Sequence, residues 1–208
     1  MPVVEVRHPL VQHKLSYLRD RSTPTVHFRK LVEEVTLLLT YEATKEFPTE
    51  QVEIETPLEV APMLRISGKK VAVCPILRAG LGMLDGVLDL ISGARVGFIG
   101  LYRNEETLQP VEYYVKLPQD VGDRDVILLD PMLATGNSTA HAVRVVKAAG
   151  ASSVILIAII AAPEGVERVL AEFPDVRIVV AAIDRGLNEH GYIVPGLGDA
   201  GDRLYGTK

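Results

Sequence analysis

The chain has 208 residues, 48% of them apolar, with 27 acidic against 22 basic side chains and a net charge of −5. Such a length supports one compact unit with a sizeable core, and the acidic balance offers no basic stripe for nucleic acid. No apolar run reaches the ~18 residues of a membrane span, residues 1–6 lack the pattern of a secretory signal, and the single Cys74 excludes an internal disulfide, so a reducing cytoplasm is the expected location.

Residues 1–23 read as an irregular arm with a helical piece from His8 to Asp20. Thr23-Pro24 reads as the N-cap and first position of a helix running to about Glu46, with Phe28, Leu31, Val32, Val35, Leu38 and Leu39 as its apolar stripe and Pro48 closing it. Gln51 to Thr56 alternates as a short edge strand. Then follow strand 70–75, helix 80–91, strand 95–101, a polar segment 102–118, strand 125–129, helix 137–149, strand 153–160, helix 163–173 and strand 176–183. Apolar strands alternating with helices imply an α/β fold, a mostly parallel twisted sheet with helices on both faces. Ligands in such sheets bind beyond the carboxyl ends of the strands, where Arg78, Arg103 and Asp130 all fall. Segment 102–118 alternates through Val111, Tyr113 and Val115, as an exposed two-stranded flap would. Residues 184–208, rich in glycine, are expected to form a small hood with residues 1–23 over a core of about 24–183.

The most informative stretch is Val126-Ile-Leu-Leu-Asp-Pro-Met-Leu-Ala-Thr-Gly-Asn-Ser-Thr139. Val126 to Leu129 read as a buried parallel strand, and Asn137 or Ser138 can cap a helix whose apolar face is Ala142, Val143, Val146 and Ala149. A strand–loop–helix junction of this kind aims main-chain N–H groups and a helix dipole at one spot, which suits a phosphate. Thr135, Ser138 and Thr139 add hydroxyls, and Gly136 allows close approach. Asp130 cannot serve a phosphate but suits the hydroxyls of a ribose, so a sugar phosphate is the natural ligand.

This block resembles the phosphoribosyl-diphosphate (PRPP) motif of the type I phosphoribosyltransferases, and its Asp130-Pro131 form is similar to that of the uracil phosphoribosyltransferases. Three more segments carry the resemblance: Val71-Ala-Val-Cys-Pro-Ile-Leu-Arg-Ala-Gly80, Tyr102 to Pro118, and Tyr192-Ile-Val-Pro-Gly-Leu-Gly-Asp-Ala-Gly-Asp-Arg203. The resemblance covers the chain from about His8 to Arg203. It implies a pyrimidine-salvage enzyme that transfers phosphoribose from PRPP to uracil, giving UMP and diphosphate. It also implies PRPP contacts from Pro131, Met132, Leu133, Ala134, Thr135, Gly136, Asn137 and Ser138. Arg78 and Arg103 would hold the diphosphate, Asp130 the ribose, and Asp199 would face PRPP. Main-chain groups of Ile193, Gly198 and Ala200, with Asp199 beside them, would bind uracil. Magnesium held mainly through PRPP and water, a homo-oligomer and a GTP effector complete what the resemblance implies. A transferase for another base, or an RNA-binding regulator on the same fold, is the alternative.

Other features read as bland. Gly80-Leu-Gly-Met-Leu-Asp-Gly86 imitates a dinucleotide fingerprint but lacks the acid expected about 20 residues on. The histidines 8, 13, 27, 141 and 190 show no metal-ligand spacing. Cys74 is expected to be an inert core thiol, Tyr113 and Tyr114 flap packing in preference to a dimer contact, and Asp202 and Arg203 a structural brace, paired with each other.

Overall fold

The structure, a computed structural model, describes residues 2–68, 71–103 and 110–207, with Arg103 by its main chain. In chain order it runs β1 (Val3–Glu5), α1 (Pro9–Arg19), α2 (Thr25–Ala43), β2 (Thr49–Glu55), β3 (Val60–Ile66) and β4 (Val71–Leu77). A 3₁₀ turn (Ala79–Met83) leads to α3 (Leu84–Leu90), β5 (Arg95–Val96), β6 (Phe98–Arg103) and β7 (Pro110–Lys116). Then come β8 (Asp125–Leu129), β9 (Met132–Leu133), α4 (Asn137–Ala148), β10 (Ser153–Ala161), α5 (Pro163–Glu172) and β11 (Arg177–Ile183). The chain finishes with β12 (Gly186–Leu187), β13 (Ile193–Val194) and α6 (Ala200–Tyr205).

The main sheet has the spatial order β1, β11, β10, β8, β4, β6, β7, with β5 also on β4 and β9 on β10. All pairings are parallel except that of β6 with β7. Alternation along the central strands, broken in β10 where Ile159 and Ile160 fall on the same side, fills two cores. Val71, Val73, Ile127, Leu129, Ile155, Ile157 and Val179 face α1, α2, α3 and α6. Ala72, Cys74, Val126, Leu128, Leu156, Ile178 and Val180 face α4 and α5. Both faces are therefore apolar, and the strands read as continuous apolar runs for that reason. From β8 the chain moves outward to β10, and from β4 it moves the other way to β6. The carboxyl ends of β4 and β8 thus flank the point where strand order reverses, which leaves a crevice above them.

Three local expectations need correction. Gln51 to Thr56 is no edge of the main sheet: β2 pairs antiparallel with β3, from Thr49↔Ile66 to Glu55↔Val60, as a separate hairpin. Val52, Ile54 and Ala61 are half-buried, but much of its apolar surface faces solvent, with Leu64 74% exposed and Leu58 in the connecting turn 95% exposed. Helix α2 starts at Thr25 after a Pro24 N-cap, while the Thr23 hydroxyl donates to the carbonyl of Tyr17. The return strand of the expected flap, β7, is the outermost strand of the main sheet, while residues 104–109 and the Arg103 side chain lie outside the described residues.

The C-terminal segment is tied to the end of α1. Both Arg19 terminal nitrogens reach the Asp184 carboxylate, at 2.8 and 2.5 Å, and Nη1 also donates to the Gly196 carbonyl. Asp184 in turn accepts from the Gly196 N–H at 2.9 Å. Its side chain is only 5% exposed. Removing the cation would strand a buried carboxylate, so Arg19→Met is expected to destabilise the fold by about 3 kcal/mol. Asp184→Asn should cost less, because an amide oxygen still accepts from Gly196. Urea unfolding midpoints that rank the two variants the other way would contradict this. Arg203 does not pair with Asp202 as expected: it donates to the carbonyls of Leu18, Asp20 and Leu197 and stacks over Phe28 at 4.2 Å.

Candidate active site

The crevice above β4 and β8 is a cleft of about 590 Å³. Its walls bring together Arg78 and Ala79 from the end of β4, Asp130 and Pro131 from the end of β8, the loop Ala134 to Ser138, and Asp199 to Gly201. Met132, Tyr102, Pro110 and Tyr113 also line it. Leu133 is fully buried in the core, and Ile193 and Gly198 are not part of the lining. Tyr113 packs as expected, its ring 6.3 Å from that of Tyr102, and it also borders the cleft. No sequence signal separates a packing tyrosine from a cleft tyrosine on an alternating strand.

Two close approaches shape the floor. A Cβ on Gly80 would lie 2.3 Å from the Leu129 carbonyl oxygen, so only glycine lets the turn after β4 press against the end of β8. Gly136 has φ +77°, and a Cβ there would come within 2.7 Å of the Gly165 carbonyl. Gly136 is the N-cap of α4, in place of the expected Asn137 or Ser138, which form its first turn. No side chain caps this helix, so its first N–H groups remain directed at the cleft, an arrangement that attracts phosphate oxygens. The residues of the glycine-rich dinucleotide look-alike form the 3₁₀ turn Ala79–Met83 and the start of α3, which begins only at Leu84. No helix therefore starts at its first glycines to receive a pyrophosphate.

Asp130 sits at the junction. Thr139 Oγ1 donates to its Oδ2 at 2.9 Å and the Met132 N–H to its Oδ1 at 3.3 Å. Burial pushes its carboxyl up to about 6, against the pull of those two hydrogen bonds. Asp199 is the N-cap of α6, and its Oδ1 accepts the Asp202 N–H at 2.9 Å. Arg78 is exposed to the cleft and follows a cis peptide bond from Leu77. Among the described residues no group of three or more His, Cys, Asp or Glu side chains is placed to hold a metal ion. Cys74 lies away from the cleft, buried, with its thiol pushed up to about 12, and is inert as expected.

The family model for uracil phosphoribosyltransferase matches residues 4–207. The chain belongs to the uracil phosphoribosyltransferase family. A uracil phosphoribosyltransferase of Geobacillus sp. is 61% identical, with 97% of this chain and 96% of that protein aligned. One from Clostridium perfringens is 59% identical over 99% of each. A solved protein from Aquifex aeolicus is 41% identical and superposes with a TM-score of 0.94 over 99% of both chains. A hypoxanthine-guanine phosphoribosyltransferase from Bacillus anthracis shares the fold at 10% identity, with a TM-score of 0.51 over 77% of this chain and 80% of its own. The expected mostly parallel α/β sheet is the one observed. No helix among the described residues is long and apolar enough to cross a membrane.

Proposed function

We propose that this family member transfers the 5-phosphoribosyl group of PRPP to N1 of uracil, releasing diphosphate and forming UMP. The observation that carries the reading is the convergence in one cleft of Arg78, Asp130, the loop Ala134 to Ser138 and Asp199-Ala200. The α4 N-terminus and the hydroxyls of Thr135 and Ser138 hold the 5′-phosphate. Asp130 accepts from the ribose hydroxyls. Arg78 and Arg103 neutralise charge that builds on the leaving diphosphate, a task that guanidinium forks suit. The bond from the anomeric carbon to diphosphate breaks, N1 of uracil bonds to that carbon, and the N1 proton leaves to water or diphosphate.

Uracil presents acceptor, donor and acceptor groups along O2, N3–H and O4. The main chain of Ala200, in the cleft lining, answers part of that pattern, and family resemblance adds Ile193 and Gly198, which lie outside the lining. Cytosine reverses it at positions 3 and 4, leaving buried groups unpaired at about 1–3 kcal/mol each. Magnesium would enter with PRPP, Asp130 and Asp199 are the cleft carboxylates that would meet it or its water shell, and it would supply charge neutralisation on the diphosphate. The exposed apolar hairpin β2–β3 supports a homo-oligomer, since a large apolar surface of this kind is unfavourable in isolation. A GTP effector and a cytoplasmic location belong to the same reading.

The test is UMP formation from PRPP and labelled uracil with magnesium, with cytosine, hypoxanthine and orotate in parallel. Turnover with uracil alone is expected. Turnover with another base instead would move the reading to a different acceptor. No turnover with any base from folded protein, GTP included, would favour a binding role, and RNA retention falling steeply with salt would then identify it.

A further inference from the structure

The hydroxyl of Tyr205, at the end of α6, donates to the main-chain carbonyl of Arg78 at 2.9 Å. Arg78 is the cation at the cleft end of β4, and α6 begins at Asp199–Ala200 in the lining of the same cleft, where a Cβ on Gly201 would lie 3.9 Å from that of Ala79. Two further contacts seat the helix. Arg29 Nε donates to the Leu204 carbonyl at 2.5 Å, and the Leu204 side chain occupies the space that a Cβ on Gly82 would need, 2.7 Å away. Helix α6 therefore lies directly on the turn that follows Arg78, and Tyr205 is the point where it bonds to Arg78 itself.

We propose that Tyr205 is a positioning residue for PRPP: its hydroxyl holds the Arg78 peptide so that the guanidinium is presented to the diphosphate. This rests on reading the cleft as a PRPP site. A tyrosine needed only for packing would place its hydroxyl in solvent or on a distant structural group. Here the acceptor is the main chain of a cleft residue 127 positions away in sequence. Arg78 has a long side chain with several free torsions, so the orientation of its peptide decides where the fork begins its reach. Tyr205 also makes the wall that holds the base rigid with respect to the turn that holds the diphosphate. Partial burial raises the pKa of its phenol, although Arg78 and Arg29 nearby oppose the shift, so the donor keeps its proton at neutral pH.

Tyr205→Phe removes the donor and keeps the ring, whereas Tyr205→Leu removes both. Binding of magnesium-PRPP by calorimetry, KM for PRPP and for uracil, and Tm are compared with wild type. Tyr205→Phe is expected to weaken PRPP binding and raise its KM roughly three- to ten-fold, the worth of one neutral hydrogen bond, with uracil KM and Tm unchanged. PRPP affinity equal to wild type, with loss confined to Tyr205→Leu, would assign the effect to the ring and overturn the proposal. So would an equal rise in both KM values with a fall in Tm. Wild-type protein that binds PRPP but never uses uracil would sink the uracil reading alone, because the calorimetric comparison still stands.

Discussion

Asp130→Asn is expected to make the protein more stable at neutral pH and at the same time to lower turnover by roughly a hundred-fold or more, the worth of about two lost charge-assisted hydrogen bonds. The stability half follows from burial. Desolvation raises the Asp130 carboxyl to about 6, above its ordinary value near 3.8, so ionising it in the folded, unliganded protein is unfavourable. Wild type therefore carries almost no penalty from this group below pH 4, and the penalty builds as pH rises from 4 to 6. Asparagine removes the charge while its amide oxygen still accepts from the Thr139 hydroxyl. The gain should be near zero below pH 4, grow between 4 and 6, and level at about 3 kcal/mol above pH 6. The activity half follows from the proposed ribose contact: an amide accepts more weakly than a carboxylate and cannot balance positive charge on the ribose. In wild type, kcat/KM for PRPP should accordingly fall on the acid side of about 6. Urea unfolding at several pH values, alongside turnover, measures both halves. A variant less stable than wild type at pH 7.5 would refute the burial argument, and one of equal activity would remove Asp130 from the ribose site.

That opposition between stability and activity marks what was legible in the sequence. The stretch Val126 to Thr139 was legible because its parts are local: a strand, an acid at its end, a small-residue loop and a helix follow one another without a gap. The choice of cap was not. Thr135, Gly136, Asn137 and Ser138 are all residues that cap helices or stand in tight turns, and Gly136 takes the place because the Gly165 carbonyl crowds it from across the fold. Strand β1 escaped notice because three residues, Val3–Glu5, are too few to show a period; it joins the sheet only through Ile178 to Val180. Strand β3 was hidden by Pro62 and by the lack of alternation in a hairpin exposed on both faces. The hydrogen bonds of Arg19 with Asp184 and of Tyr205 with Arg78 span 165 and 127 residues, and no periodicity carries such distances. Motifs in this chain announce the cleft, while the contacts that hold its walls in place come from residues that look ordinary in sequence.

Asp199 has two duties, and a pair of substitutions separates them. As N-cap of α6 its Oδ1 accepts the Asp202 N–H, a task asparagine performs about equally well. As a cleft carboxylate it carries a charge that asparagine lacks. Asp199→Asn is therefore expected to leave Tm unchanged and to lower turnover by about 10²-fold, the scale on which loss of one preorganised electrostatic contact is felt. Asp199→Ala loses the cap as well and should in addition destabilise the fold by about 1 kcal/mol. If the residue served only as a cap, the order would differ: asparagine would match wild type in both measurements, and alanine would lose stability with activity following only as far as unfolding carries it. Steady-state kinetics and thermal unfolding of the two variants distinguish these patterns. An asparagine variant with wild-type kinetics would confine Asp199 to capping and leave Asp130 as the cleft carboxylate on which the proposed mechanism rests. The cap matters to the proposed mechanism in either case, because α6 places Ala200 in the cleft lining at one end and Tyr205 on the Arg78 peptide at the other.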